Sequence, residues 1–144
     1  MLFEKITGRF GTSLAGKTIA IWGLAFKPRT DDMRDAPSVA LIQKLLGAGA
    51  AVQAFDPEAR ETARAKLGAK VKIVDNDYAA LQGADALAIM TEWNEFRMPD
   101  FDRMKQCLKA PIIFDGRNLY EPAMMRAQGF EYFSIGRATV TGGK

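Results

Sequence analysis

The sequence predicts an α/β fold, a three-layer sandwich around a mainly parallel sheet of six strands, and three observations carry that prediction. Six short stretches rich in β-branched and aliphatic residues recur along the 144 residues, with helix-like segments between them. Most of these stretches are apolar on successive residues, as in IAIW, ALAIM and IIF, the pattern of strands covered on both faces. Strand and helix alternate throughout, and parallel neighbours need crossovers that helices supply. The expected architecture is Rossmann-like.

The strands are expected at Thr18 to Gly23, Ala51 to Asp56, Val71 to Val74, Asp85 to Met90, Pro111 to Asp115 and Glu131 to Ile135. The clearest helix lies between the first two. There Val39, Ile42, Leu45 and Leu46 recur at helical spacing, Pro37 and Ser38 suit its first turn, and Gly47 and Gly49 suit its end. A surface helix from Glu58 to Leu67 begins after Pro57 and stops near Gly68. A short turn of helix at Tyr78 to Leu81, a longer one at Phe101 to Leu108 and another at Glu121 to Gln128 fill the later crossovers. Residues 1–16 lie outside the alternation and read as a linker or the end of a helix. Residues 17–137 read as one domain and residues 138–144 as a flexible tail.

Composition narrows the function classes. Hydrophobic residues make up 48% of the chain and charged ones 26%, with no apolar run approaching the roughly 18 residues that cross a bilayer, so no membrane partner is expected. The first ten residues carry no apolar signal-peptide core, and a lone cysteine forms no internal disulfide; both fit a cytoplasmic address. Twenty bases against 17 acids, interleaved along the chain, give no basic patch for nucleic acid. The absence of histidine removes the commonest general base and metal ligand together, and with a lone cysteine as well no metal site is expected.

The chemistry is expected where three groups of residues follow strand ends. GLAFKPRTDDMRDAPS, Gly23 to Ser38, places six charged side chains between strand one and its helix, where a link normally takes about two to six residues. Thr91, Glu92 and Trp93 follow strand four, and Arg117 with Asn118 follows strand five. In a doubly wound sheet all three groups share one rim. A dinucleotide fingerprint G-x-G-x-x-G fails there, because Ala25 and Pro28 stand where glycines should be. Asp56 lies farther from Gly23 than the fingerprint's acid, about 20 residues on, and reads as the acid of a DP turn.

A nucleotide gripped by Lys and Arg side chains stays open, since these supply phosphate contacts that a glycine backbone does not. Asp31, Asp32 and Asp35 either neutralise Lys27, Arg29 and Arg34 or take part in binding, and Arg117 is either a turn arginine or a ligand contact. Arg137 reads as a surface charge. Trp93 and Phe96 read as loop anchors packed on the sheet, and Cys107 as a buried inert thiol.

At GLAFKPRTDDMRDAPS, TEWNEF and FDGRNLY, in that order and spacing, the chain resembles the C-terminal, UDP-binding domain of the UDP-glucose 6-dehydrogenases, within the UDP-glucose/GDP-mannose dehydrogenase family. The resemblance spans roughly Leu14 to Arg137. It implies an oxidoreductase that converts UDP-glucose to UDP-glucuronate with two NAD in succession, through a cysteine carried by a central region upstream of this domain. The NAD fingerprint belongs to an N-terminal domain that these residues do not contain, so Cys107 takes no catalytic role and the isolated chain is expected to be inactive. Carried across residue by residue, the resemblance implies substrate contacts at Phe26, Lys27 and Arg117, with Asp115 orienting Arg117. It also implies that Arg34 reaches the NAD held by the other domain. Implied partners are UDP-glucose or UDP, the N-terminal and central domains of the same enzyme, and a second copy in a homodimer. The same domain of another UDP- or GDP-sugar dehydrogenase, or a free-standing nucleotide-binding module, is the alternative.

Overall fold

The computed structural model describes residues 2–25, 27, 32–33 and 36–141. Six strands, β1 (Thr18–Trp22), β2 (Ala51–Phe55), β3 (Val71–Ile73), β4 (Ala86–Ile89), β5 (Ile112–Asp115) and β6 (Glu131–Phe133), form one sheet in the order β3-β2-β1-β4-β5-β6. Every pairing between them is parallel. Among the described residues six α-helices accompany them: α1 (Leu2–Phe10), α2 (Pro37–Gly47), α3 (Arg60–Leu67), α4 (Asp77–Leu81), α5 (Phe101–Cys107) and α6 (Pro122–Ala127).

The apolar runs produce the layers through the two-residue period of a strand. Ile19 and Ile21 of β1 point to one face, where they cluster with Ile6 of α1, Leu41, Ile42 and Leu45 of α2 and Ala63 of α3. Ala20 and Trp22 point to the other, clustering with Leu81 of α4, Met104 of α5 and Met125 of α6. Each fully buried isoleucine contributes about 1.5–3 kcal/mol relative to an exposed one, so both layers hold the central strand in place. β1 sits at the middle of the sheet with Ile21 opposite Ala54 of β2 and Ala88 of β4, small partners that leave room for large side chains from the helices.

The helices start where the sequence supplies acceptors. Asn76 accepts from the Ala79 backbone N–H before α4, and Asp100 accepts from that of Arg103 before α5. Pro37 and Pro122 occupy the first turns of α2 and α6, where a missing N–H costs nothing. Ser38 does not cap its own helix. Its buried hydroxyl donates to the Leu24 carbonyl at 2.6 Å and ties α2 to the loop after β1.

At the chain ends, α1 lays Leu2 and Ile6 on the first layer. Val140, in the segment read from sequence as a tail, is 2% exposed and exchanges two backbone hydrogen bonds with Tyr132 of β6. That single antiparallel bridge lies along the outer side of the last strand.

Candidate functional site

The strand order reverses direction between β1 and β4, since β2 and β3 lie to one side and β5 and β6 to the other. In an open parallel sheet the crevice beyond the carboxyl ends at that reversal is where ligands bind. The segments that leave β1, β4 and β5 meet there.

Gly23 makes the first crossing possible. Its φ is +96°, in the region that favours glycine, and a Cβ built on it would lie 2.5 Å from the Thr91 Cβ. The chain leaving β1 therefore presses directly on the chain leaving β4. Thr91 is buried and donates its hydroxyl to the Ala25 carbonyl at 2.7 Å, locking the two segments together.

Asp56 fixes the same loop from the other side. Its carboxylate is fully buried: Oδ2 accepts from the Leu24 and Ala25 backbone N–H groups at 2.7 and 3.0 Å, and Oδ1 accepts from those of Glu58 and Ala59, both at 2.8 Å. The DP turn expected from sequence accounts for the second pair. The first pair was not legible. With both oxygens engaged in this way, the acid has no capacity left for a ribose.

Lys27 follows two residues after Ala25 and is exposed on the rim. Phe26 and Arg34, the other two expected contacts of this loop, lie outside the described residues, as does Asp31. The start of this loop connects to Arg117 through structure: Ala25 is bonded to Thr91, and Glu92, the next residue, holds Arg117.

Arg117 is fixed at every level. Its backbone N–H donates to Asp115 Oδ1 at 2.9 Å. Asn118 follows with φ 55°, a left-handed conformation that asparagine tolerates, and its amide exchanges two hydrogen bonds with the Ile135 backbone. The guanidinium donates from Nε and Nη2 to Glu92 Oε1 and Oε2 at 3.0 and 2.9 Å, a two-pronged ion pair. The Arg117 guanidinium bonded to Glu92 holds that carboxyl below its ordinary range. Asp115 thus positions the Arg117 backbone, while Glu92 orients its side chain. Asp115, expected to orient Arg117, therefore does so through the backbone, and the guanidinium itself is held by Glu92.

Behind this turn lies a correction. Arg137, read as a surface charge, is half-buried and donates to the Tyr132 hydroxyl at 2.9 Å, the Tyr120 carbonyl at 3.0 Å and Ser134 Oγ at 3.1 Å. The Tyr132 hydroxyl in turn donates to Asp115 Oδ2 at 2.6 Å. Arg137 braces the turn that carries Arg117, a role set by partners between three and 17 positions away that no local pattern announces.

A cavity of about 380 Å³ opens beside Arg117, between α1, α2 and the ends of β4 and β5. Leu2, Phe3, Leu41 and Met90 make its walls largely apolar, and Lys44 and Arg117 add positive charge. Trp93 and Phe96 stay out of the crevice as anchors. Phe96 stacks on Trp22 with ring centres 4.8 Å apart, and Trp93 is buried in the same cluster. Cys107, expected to be buried, is only half-buried against that layer and lines a hollow with Arg103 and Lys72. Among the described residues no group of three His, Cys, Asp or Glu side chains could hold a metal, and no helix is long and apolar enough to cross a membrane.

Residues 20–122, from β1 to the start of α6, match the model of the UDP-glucose/GDP-mannose dehydrogenase family, UDP binding domain. The chain belongs to that family. All three segments at the rim fall inside the match. The UDP-glucose 6-dehydrogenase of Pseudomonas aeruginosa is 46% identical over 142 residues, covering 95% of this chain and 31% of that protein. A UDP-glucose dehydrogenase structure from Pyrobaculum islandicum superposes with a TM-score of 0.79 at 30% identity, over 95% of this chain and 29% of the other. The NDP-N-acetyl-D-galactosaminuronic acid dehydrogenase of Methanosarcina mazei superposes at 0.78, also at 30% identity, over 99% and 28%. This member of the UDP-glucose/GDP-mannose dehydrogenase family therefore spans about three tenths of the length of these relatives.

Proposed function

We propose that this chain is the nucleotide-holding part of an NAD-dependent UDP-glucose 6-dehydrogenase, the enzyme that oxidises UDP-glucose to UDP-glucuronate. The observation that carries the reading is an arginine, Arg117, fixed at the switch-point rim beside a largely apolar cavity, on the same rim as Lys27. A guanidinium fork suits the paired oxygens of a diphosphate, and a lysine ammonium adds a compact charge. Phe26 is assigned an apolar contact with the same substrate.

NAD does not fit this sheet. The crossing at Gly23 is filled by Thr91, and the Leu24 and Ala25 N–H groups that could face a pyrophosphate are spent on Asp56. The cofactor belongs to the N-terminal domain of the longer enzyme, with Arg34 reaching towards it from the charged loop. The cysteine that carries the oxidised intermediate belongs to the central region. The full-length protein is proposed to be a cytoplasmic homodimer.

Titration calorimetry of this chain with UDP tests the reading. Weak binding is expected, because the charges work in open solvent where they are screened. Lys27→Ala and Arg117→Ala should each lower affinity roughly tenfold, the scale of a hydrogen bond to a charged group. Unchanged affinity in both variants removes those residues from the site. The similarity to the Methanosarcina mazei enzyme supports a second reading, the same domain serving another UDP- or GDP-linked sugar. Steady-state rates of the full-length protein with a panel of such sugars separate the two.

A further inference from the structure

The Glu92 carboxylate occupies one edge of the Arg117 guanidinium, Nε and Nη2, with two nearly equal bonds of 3.0 and 2.9 Å. A guanidinium carries five N–H donors, so three remain. Arg117 lines the cavity between α1 and α2, whereas Glu92 is not among the described residues that line it. The ion pair therefore joins a residue that lines the cavity to one outside its described lining. Both side chains are about one third exposed, at 37% and 32%.

We infer that Glu92 is a positioning residue, which holds one edge of Arg117 so that the remaining N–H groups are presented to the phosphates of a nucleoside diphosphate. The inference rests on the reading that Arg117 meets the nucleotide. Two effects of Glu92 oppose each other. Its negative charge repels an anion bound nearby, but at this exposure solvent and salt screen that repulsion. Its two bonds remove the rotamer freedom that a long arginine side chain would otherwise lose on binding, and that preorganisation survives screening. The surroundings favour the second effect. The Arg117 backbone is already pinned by Asp115, and Asn118 is clamped to Ile135, so the side chain is the last loose part of the turn and Glu92 fixes it.

The test is a double-mutant cycle on this chain, read by calorimetry with UDP and, in parallel, with uridine, which has no phosphate. Glu92→Gln should weaken UDP about three- to tenfold and leave uridine unchanged. In an Arg117→Ala background the same substitution should cost nothing more, whereas in a Lys27→Ala background it should cost its full amount. Glu92→Asp, which keeps the charge on a shorter stem, should recover part of the loss. Tighter UDP binding by Glu92→Gln would show that the acid competes for the fork and would overturn the proposal. So would unchanged UDP affinity, or an equal loss for uridine, which would mean that Glu92 acts through the fold. If Arg117→Ala itself has no effect, or the wild-type chain binds no UDP, the assignment of Arg117 fails and the proposal falls with it.

Discussion

The Tyr132 hydroxyl donates to the Asp115 carboxylate at 2.6 Å, joining the outermost parallel strand to the turn that carries Arg117. Both residues are buried, and Arg137 donates to the same hydroxyl from the other side. Removing the hydroxyl deprives two charged groups of a partner at once. Tyr132→Phe should therefore destabilise the chain by about 1–3 kcal/mol, read as a lower urea midpoint at unchanged slope.

The Asp56 clamp should be the more costly one to break. Asp56→Ala leaves the buried N–H groups of Leu24, Ala25 and Ala59 without their acceptor, and each unsatisfied donor costs about 1–3 kcal/mol, while the N–H of the exposed Glu58 can turn to water. A loss of at least about 3 kcal/mol is expected in chemical denaturation. A loss below about 1 kcal/mol would mean that the loop after β1 finds other partners.

Gly23→Ala should destabilise for two separate reasons. The new methyl group would meet Thr91 at 2.5 Å, and the +96° φ is strained for any L side chain. The expected cost is about 1–3 kcal/mol, seen as a lowered thermal midpoint. Thr91→Ser should rescue little of it, because the Thr91 Cβ and backbone N stand in the way as closely as the hydroxyl does.

Stability should fall at both ends of the pH scale, through different groups. Burial is the main cause that raises the phenol pKa of Tyr78, Tyr120 and Tyr132. A raised value means that their contribution is full below the ordinary tyrosine range near 10 and is lost as pH climbs through the folded value. Tyrosinate absorbance should therefore appear with alkaline unfolding and not before it. Glu92 runs the other way. Its lowered pKa gives a contribution present above the ordinary carboxylate range and lost as pH falls through the folded value. Glu92→Gln should cost under about 1 kcal/mol near neutral pH, given the exposure of the pair, and nothing in acid.

If the oxidising machinery lies in the other domains, this chain mixed with NAD and UDP-glucose should form no NADH. A spectrophotometric assay checks it, and measurable turnover by pure chain would refute the assignment of labour between domains.

The strands were legible because burial on both faces writes itself as unbroken apolar runs, and IAIW, ALAI and IIF could be little else. The rim was legible in part. Glycine-poor chemistry after β1 and basic residues after strand ends pointed to the rim, and the topology brings Lys27 and Arg117 to it. What escaped were pairings between distant positions: Glu92 with Arg117, Asp56 with Leu24, Arg137 with Tyr120. An acid next to a strand end looks the same in sequence whether it caps a turn, clamps a loop or steers an arginine. Only three dimensions distinguish these uses.

The bridge between Val140 and Tyr132 bears on how the protein avoids its own kind. Backbone groups along a sheet margin invite pairing with another molecule, and a short antiparallel cover is one way to blunt that invitation. A chain cut after Arg137 would keep every strand of the parallel sheet yet uncover Tyr132's N–H and C=O together with the apolar patch that Val140 shields. Such a fragment should fold and then stick to itself, which would make the Val140 bridge a guard against aggregation.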